Sequence, residues 1–173
     1  QIIKQALHQR KPKGAVFGGY LFRLCCANSG FGDFMGPQKQ LNSYVKRVRD
    51  TPFKWGNHDC LTFTNGAWKA MHGHGWADDW LGRYMVETSY GERPMRGDQL
   101  RNEFGFFSFI EAVDKKLTRV DCVPPRGALV ITDKSEKWGI GYGMGICVGI
   151  KAAFLSRKGV IYMPVTDIAK AWI

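Results

Sequence analysis

Cys60 closes the run Trp55-Gly56-Asn57-His58-Asp59-Cys60 and opens an apolar stretch. A cysteine attacks acyl carbons when its thiolate is stabilised and a base lies within reach. Beyond it, apolar residues recur at Leu61, Phe63–Thr64, Ala67–Trp68 and Ala70–Met71, spacing that predicts a helix buried on more than one side. Asp59 is a good N-cap and Gly73 a good residue just past the C-terminus. Cys60 would then occupy the first turn, where unpaired N–H groups and the helix dipole favour a thiolate. His58 is the candidate base, although two residues back its ring would normally point elsewhere. Trp55, Gly56 and Asp59 are the supporting residues, with Gly56 allowing a sharp bend into the helix. The competing reading is a small buried hydrophobe, the commonest role of a cysteine in an apolar helix.

His58, Cys60, His72 and His74 superficially suggest a metal site. A helix from Cys60 to His72 separates its ends by roughly 18 Å at about 1.5 Å per residue, too far for one ion. No metal and no cofactor are expected. The five cysteines (Cys25, Cys26, Cys60, Cys122 and Cys147) fit neither a disulfide framework nor a zinc or iron–sulfur spacing. Free thiols made in a reducing cytoplasm are the simplest account.

The elements that must position Cys60 follow from periodicity. Residues 41–49 read as a helix with Leu41, Tyr44, Val45 and Val48 on one face and Lys46, Arg47 and Arg49 opposite. Thr51-Pro52 ends it. An aromatic-rich connection follows at 76–84, then helices over 95–104, closed by Gly105, and 109–117, capped by Ser108. Short strands are predicted at 128–131, 144–150, 152–155 and 159–163. Helices first and strands after imply an α+β domain with an antiparallel sheet. A chain of 173 residues, 45% hydrophobic, accommodates one such domain and an extension.

That extension carries the charge. The net charge is +10, and residues 1–50 hold nine Lys/Arg against Asp33 and Asp50. Residues 1–40 read as a basic, glycine-rich arm, too apolar to stay free and too glycine-rich for long regular elements. A short helix is expected at 1–10, ended by Pro12. No run of eighteen apolar residues predicts a membrane span, and no nucleic-acid-binding motif is present.

The W-G-x-x-D-C run resembles the nucleophile segment of NlpC-type papain-like peptidoglycan cysteine peptidases. It is similar above all to a phage-encoded branch of that superfamily, small proteins found among tail genes. The resemblance covers about residues 41–173 and implies a papain-like α+β domain, its Cys-bearing helix packed on an antiparallel sheet. In the NlpC-type pattern the base opens a strand written roughly H-V-G-I-x-I-G. The matching stretch, Gly143-Met144-Gly145-Ile146-Cys147-Val148-Gly149, puts Gly143 where the histidine belongs, and the usual Gly-Asp before the preceding strand is Gly127-Ala128. His8 could replace the base only if the arm folds over the site. The resemblance therefore implies a bacteriophage tail-tip or baseplate component, made in the host cytoplasm and carried in the virion, with a catalytically degenerate cell-wall-peptidase domain. Its arm would lie on neighbouring tail proteins, and its domain would contact peptidoglycan. The alternative is an active cysteine peptidase or amidase cutting peptidoglycan peptides as phage DNA enters the cell. A wall-binding module that never joins a particle is a third reading.

Overall fold

Pro37 starts the first helix, since the first helical position loses nothing by lacking an N–H. Helix α1 (Pro37–Val48) buries Leu41, Tyr44 and Val45 and places Lys46 and Arg47 in its last turn. It begins four residues before the apolar periodicity does. The structure, a computed structural model, describes residues 36–134 and 140–173. The arm and its expected helix at 1–10 lie outside the described residues.

Helix α2 (Cys60–His72) has the caps its sequence predicts. The Asp59 carboxylate accepts from Thr62 N, the Thr62 hydroxyl accepts the Asp59 N–H, and Gly73 adopts φ 82°. Such a cap contributes about 1 kcal/mol. The Tyr44 hydroxyl donates to the Phe63 carbonyl at 2.9 Å, tying α1 to α2.

Between α2 and the sheet lies an insertion. A 3-10 turn at Asp78–Trp80 leads to the hairpin β1 (Met85–Thr88) and β2 (Gly91–Pro94). Helices α3 (Gly97–Phe104) and α4 (Phe109–Asp114) follow, the latter capped by the Ser108 hydroxyl. The remaining strands are β3 (Arg119–Val120), β4 (Leu129–Thr132), β5 (Gly143–Cys147), β6 (Lys151–Ser156), β7 (Gly159–Pro164) and β8 (Lys170–Trp172). They form a six-stranded sheet in the order β3-β8-β4-β5-β6-β7, antiparallel at every pairing. This is the mixed α+β class with an antiparallel sheet that the sequence predicts.

Strand alternation sorts the core into two faces. Leu129, Ile131, Met144, Ile146, Ala153, Leu155 and Trp172 pack with α1, α2 and α4. Ala128, Val130, Cys147, Ala152, Phe154 and Ala171 turn the other way, beneath Val120, Met163, Val165 and Ile168. Each fully buried Leu, Ile or Phe contributes about 1.5–3 kcal/mol of transfer free energy. Both faces of the central strands are therefore apolar, which explains their unbroken hydrophobic runs. Among the described residues no helix is long and apolar enough to cross a membrane.

Candidate functional site

Backbone pairing closes the loop that leads into α2. Lys54 and His58 exchange N–H···O bonds of 2.9 and 2.8 Å, and Gly56 supplies the φ of 71° that the turn needs. The Gly56 N–H then donates to Asp59 Oδ2 at 2.8 Å. Asp59, fully buried, also accepts from Thr62 N at 3.0 Å and from the Thr62 hydroxyl at 3.2 Å. The Tyr84 hydroxyl completes its shell, donating to Oδ2 at 2.5 Å. Four donors on one carboxylate make this a satisfied buried anion, the arrangement that makes such burial tolerable.

Trp55, Asp59 and Cys60 line one cavity of about 70 Å³, together with Tyr84. Its other walls are aromatic or aliphatic, including Trp80, Phe104, Phe106, Phe109 and Met144. It is less than half the size of an apolar cavity of about 150 Å³ that accepts benzene. Cys60 is 5% exposed. Burial pushes its thiol up to about 12, and the neighbouring Asp59 charge pushes the same way, while backbone N–H groups of Leu61 and Cys60 oppose them. The helix N-terminus does act on the thiol as expected, but burial outweighs it.

His58 is not among the residues lining this cavity. Its ring lies edge-on to Phe63 at 6.5 Å, and its Nε2 is buried without a hydrogen-bond partner among the described residues. Burial lowers its pKa, opposed by Asp59. Gly143 opens β5 opposite Thr132, and by alternation it belongs with Gly145 and Cys147 on the face away from α2. Met144 is the residue of that strand that reaches α2, where the Thr64 hydroxyl approaches its sulfur at 3.3 Å. His72 ends α2 and His74 lies just past it, their rings 6.3 Å apart. His8 lies outside the described residues. Among those described, no three His, Cys, Asp or Glu side chains converge as metal ligands would.

Tyr84 escaped the sequence reading. It lies 25 positions from Asp59, and no local spacing links a tyrosine in a connecting segment to a helix cap. Burial and the hydrogen bond to Asp59 both push its phenol well above the usual range. It therefore serves as a donor and not as a base.

Residues 35–173 match a family model described as "Domain of unknown function (DUF6950)". No curated protein and no solved structure matches.

Proposed function

The chain belongs to the DUF6950 family, and on that premise we propose that it is a structural component of a bacteriophage tail tip or baseplate. Its papain-like, NlpC-type domain keeps the cysteine helix and the sheet but has lost the catalytic base. The observation that carries the reading is the surroundings of Cys60: an aromatic cavity with a carboxylate and a phenol but, among the described residues, no imidazole on its walls. A cysteine hydrolase needs a base within hydrogen-bond reach, and a thiol pushed up to about 12 is almost wholly protonated at neutral pH. Asp59 and Tyr84 satisfy each other and build the turn that holds the helix. The W-G-x-x-D-C run supports descent from wall-cutting enzymes; the fold class and the α2–sheet packing agree with it.

The test has two arms. Purified protein incubated with peptidoglycan should release no more peptide than its Cys60→Ala variant, and mass spectrometry of purified virions should detect the chain. Cys60-dependent peptide release would restore the enzyme reading. Absence from particles would remove the structural one.

A further inference from the structure

We propose that the pocket between α1 and the β5–β6 turn, with Tyr162 of β7 on its rim, is a binding site for a phosphate group, free or carried as an ester. The pocket measures about 230 Å³ and is bordered by Asn42, Lys46, Arg49, Arg126, Val148 and Tyr162. Three of those side chains are cationic and none is a carboxylate. Asn42 and Lys46 lie at i and i+4 on one face of α1, and the C-cap Arg49, itself in helical conformation, continues that face at i+7. Arg126 arrives from the turn Pro124-Pro125-Arg126-Gly127, where Gly127 takes φ 94°. Its Nη1 donates to the Val148 carbonyl at 2.6 Å and its Nη2 to Asn42 Oδ1. Its Nε has no partner among the described residues. Two of the five guanidinium donors are thus engaged, and the planar fork is held in place by the sheet on one side and the helix on the other.

Complementing the dipole at the end of α1 would account for Lys46 and Arg47. It does not account for Arg126, which crosses 84 positions to join them. Asp50 approaches Arg49 at 3.9 Å, but those side chains are 65% and 96% exposed, an arrangement worth little that leaves Arg49 available. A carboxylate would neutralise one of the three charges. A phosphate carries up to two and offers three strong acceptor oxygens to a fork that recognises such geometry. The site is separate from the Cys60 cavity and stands whether or not the reading of that cavity holds.

The full chain should be titrated with inorganic phosphate and with glycerol phosphate at constant ionic strength, with chloride as control, followed by amide chemical shifts and calorimetry. Saturable binding is expected, with shifts centred on 42–49, 126 and 148. Lys46→Glu and Arg49→Glu, both at exposed positions, should each weaken it about tenfold or more, the scale of one lost charge-assisted hydrogen bond. Arg47→Glu should leave it unchanged, since Arg47 lies over the Tyr44 ring instead. If glycerol phosphate binds as well as phosphate, the natural ligand is an ester; if only phosphate binds, it is the free ion. No saturable binding beyond chloride, or an equal loss in Arg47→Glu, overturns the proposal.

Discussion

Asp59 concentrates more structure than any other single side chain near the thiol, because its carboxylate serves the Gly56 turn, the α2 cap and the Tyr84 phenol together. Asp59→Ala would leave the Tyr84 hydroxyl buried without its acceptor and uncap the helix. The expected loss is about 2–4 kcal/mol, read from urea unfolding, and a loss below about 1 would refute the account. The cap was legible in the sequence because capping is local, three residues from acceptor to donor. The thiol's state was not, since it depends on side chains brought from 80–109 to close over it. That closure has a chemical consequence. At pH 8 a thiol with pKa about 12 is ionised in roughly one molecule in ten thousand, so iodoacetamide should modify exposed Cys122 long before buried Cys60. Denaturant should remove the difference, and prompt labelling of Cys60 in the folded chain would contradict it. His58 and His72 add a pH dependence. Burial holds both below the usual 6.5, so on acidification the unfolded chain takes up protons first. Their share of stability is intact above pH 6.5 and is lost as the pH falls through that value toward the lower folded ones. His58→Gln should flatten the decline in urea midpoint between pH 7 and 5; an unchanged slope would show that His58 takes no part.

Among the elements, α2 was the most legible and the short strands β3 and β8 the least, and the reason is length. Thirteen residues with an Asp cap and a terminal glycine display a period; Lys170–Trp172 has three residues and cannot. Yet β8 joins β3 to β4, and the indole N–H of Trp172 donates to Asp114 Oδ1 at 2.7 Å, binding the sheet to the end of α4. The hairpin β1–β2 was equally hidden. Its strands carry Glu87, Glu92, Arg93 and Pro94 in place of an apolar alternation, since the hairpin pairs within itself outside the main sheet. Helix α3 starts at Gly97 and not at 95, because the Arg96 N–H is taken by Gln99 Oε1 at 3.0 Å. Strand β5 was read from its apolar residues, but its central glycine has a packing reason of its own. A Cβ at Gly145 would collide with the Ala153 carbonyl and stand 2.6 Å from Phe154 Cδ1. Gly145→Ala therefore pushes β5 off β6, and an expected loss of about 1–3 kcal/mol should appear in thermal unfolding. A variant as stable as the parent would mean that the two strands have slack which the packing of Phe154 denies.

At the scale of the whole molecule, the question is whether the domain depends on the arm that precedes it. The second compact unit of the chain runs from Phe34 to Ile173. Within it, α1 docks on α2, α2 on β5 and β6, and β8 returns to pair between β3 and β4, so the last strand is held on both sides by strands from earlier in the chain. Its buried residues run from Leu41 to Trp172 and include large side chains at full burial, among them Phe63, Phe154 and Trp172. About 140 residues arranged in this way suffice for cooperative unfolding without help from a neighbour. A fragment of residues 34–173 should therefore fold, showing a single coincident transition by near- and far-ultraviolet circular dichroism. The arm has a different task under the tail-component proposal. It holds five of the Lys/Arg residues before position 34 against one carboxylate, Asp33, and its apolar residues are interspersed with glycine. Such a segment gains most by ordering on another protein. Phage lacking residues 1–34 of this chain should consequently make soluble, folded domain but fail to incorporate it into particles. Normal particles from that deletion would show that assembly uses the domain alone, and an insoluble fragment would show that the arm belongs to the fold.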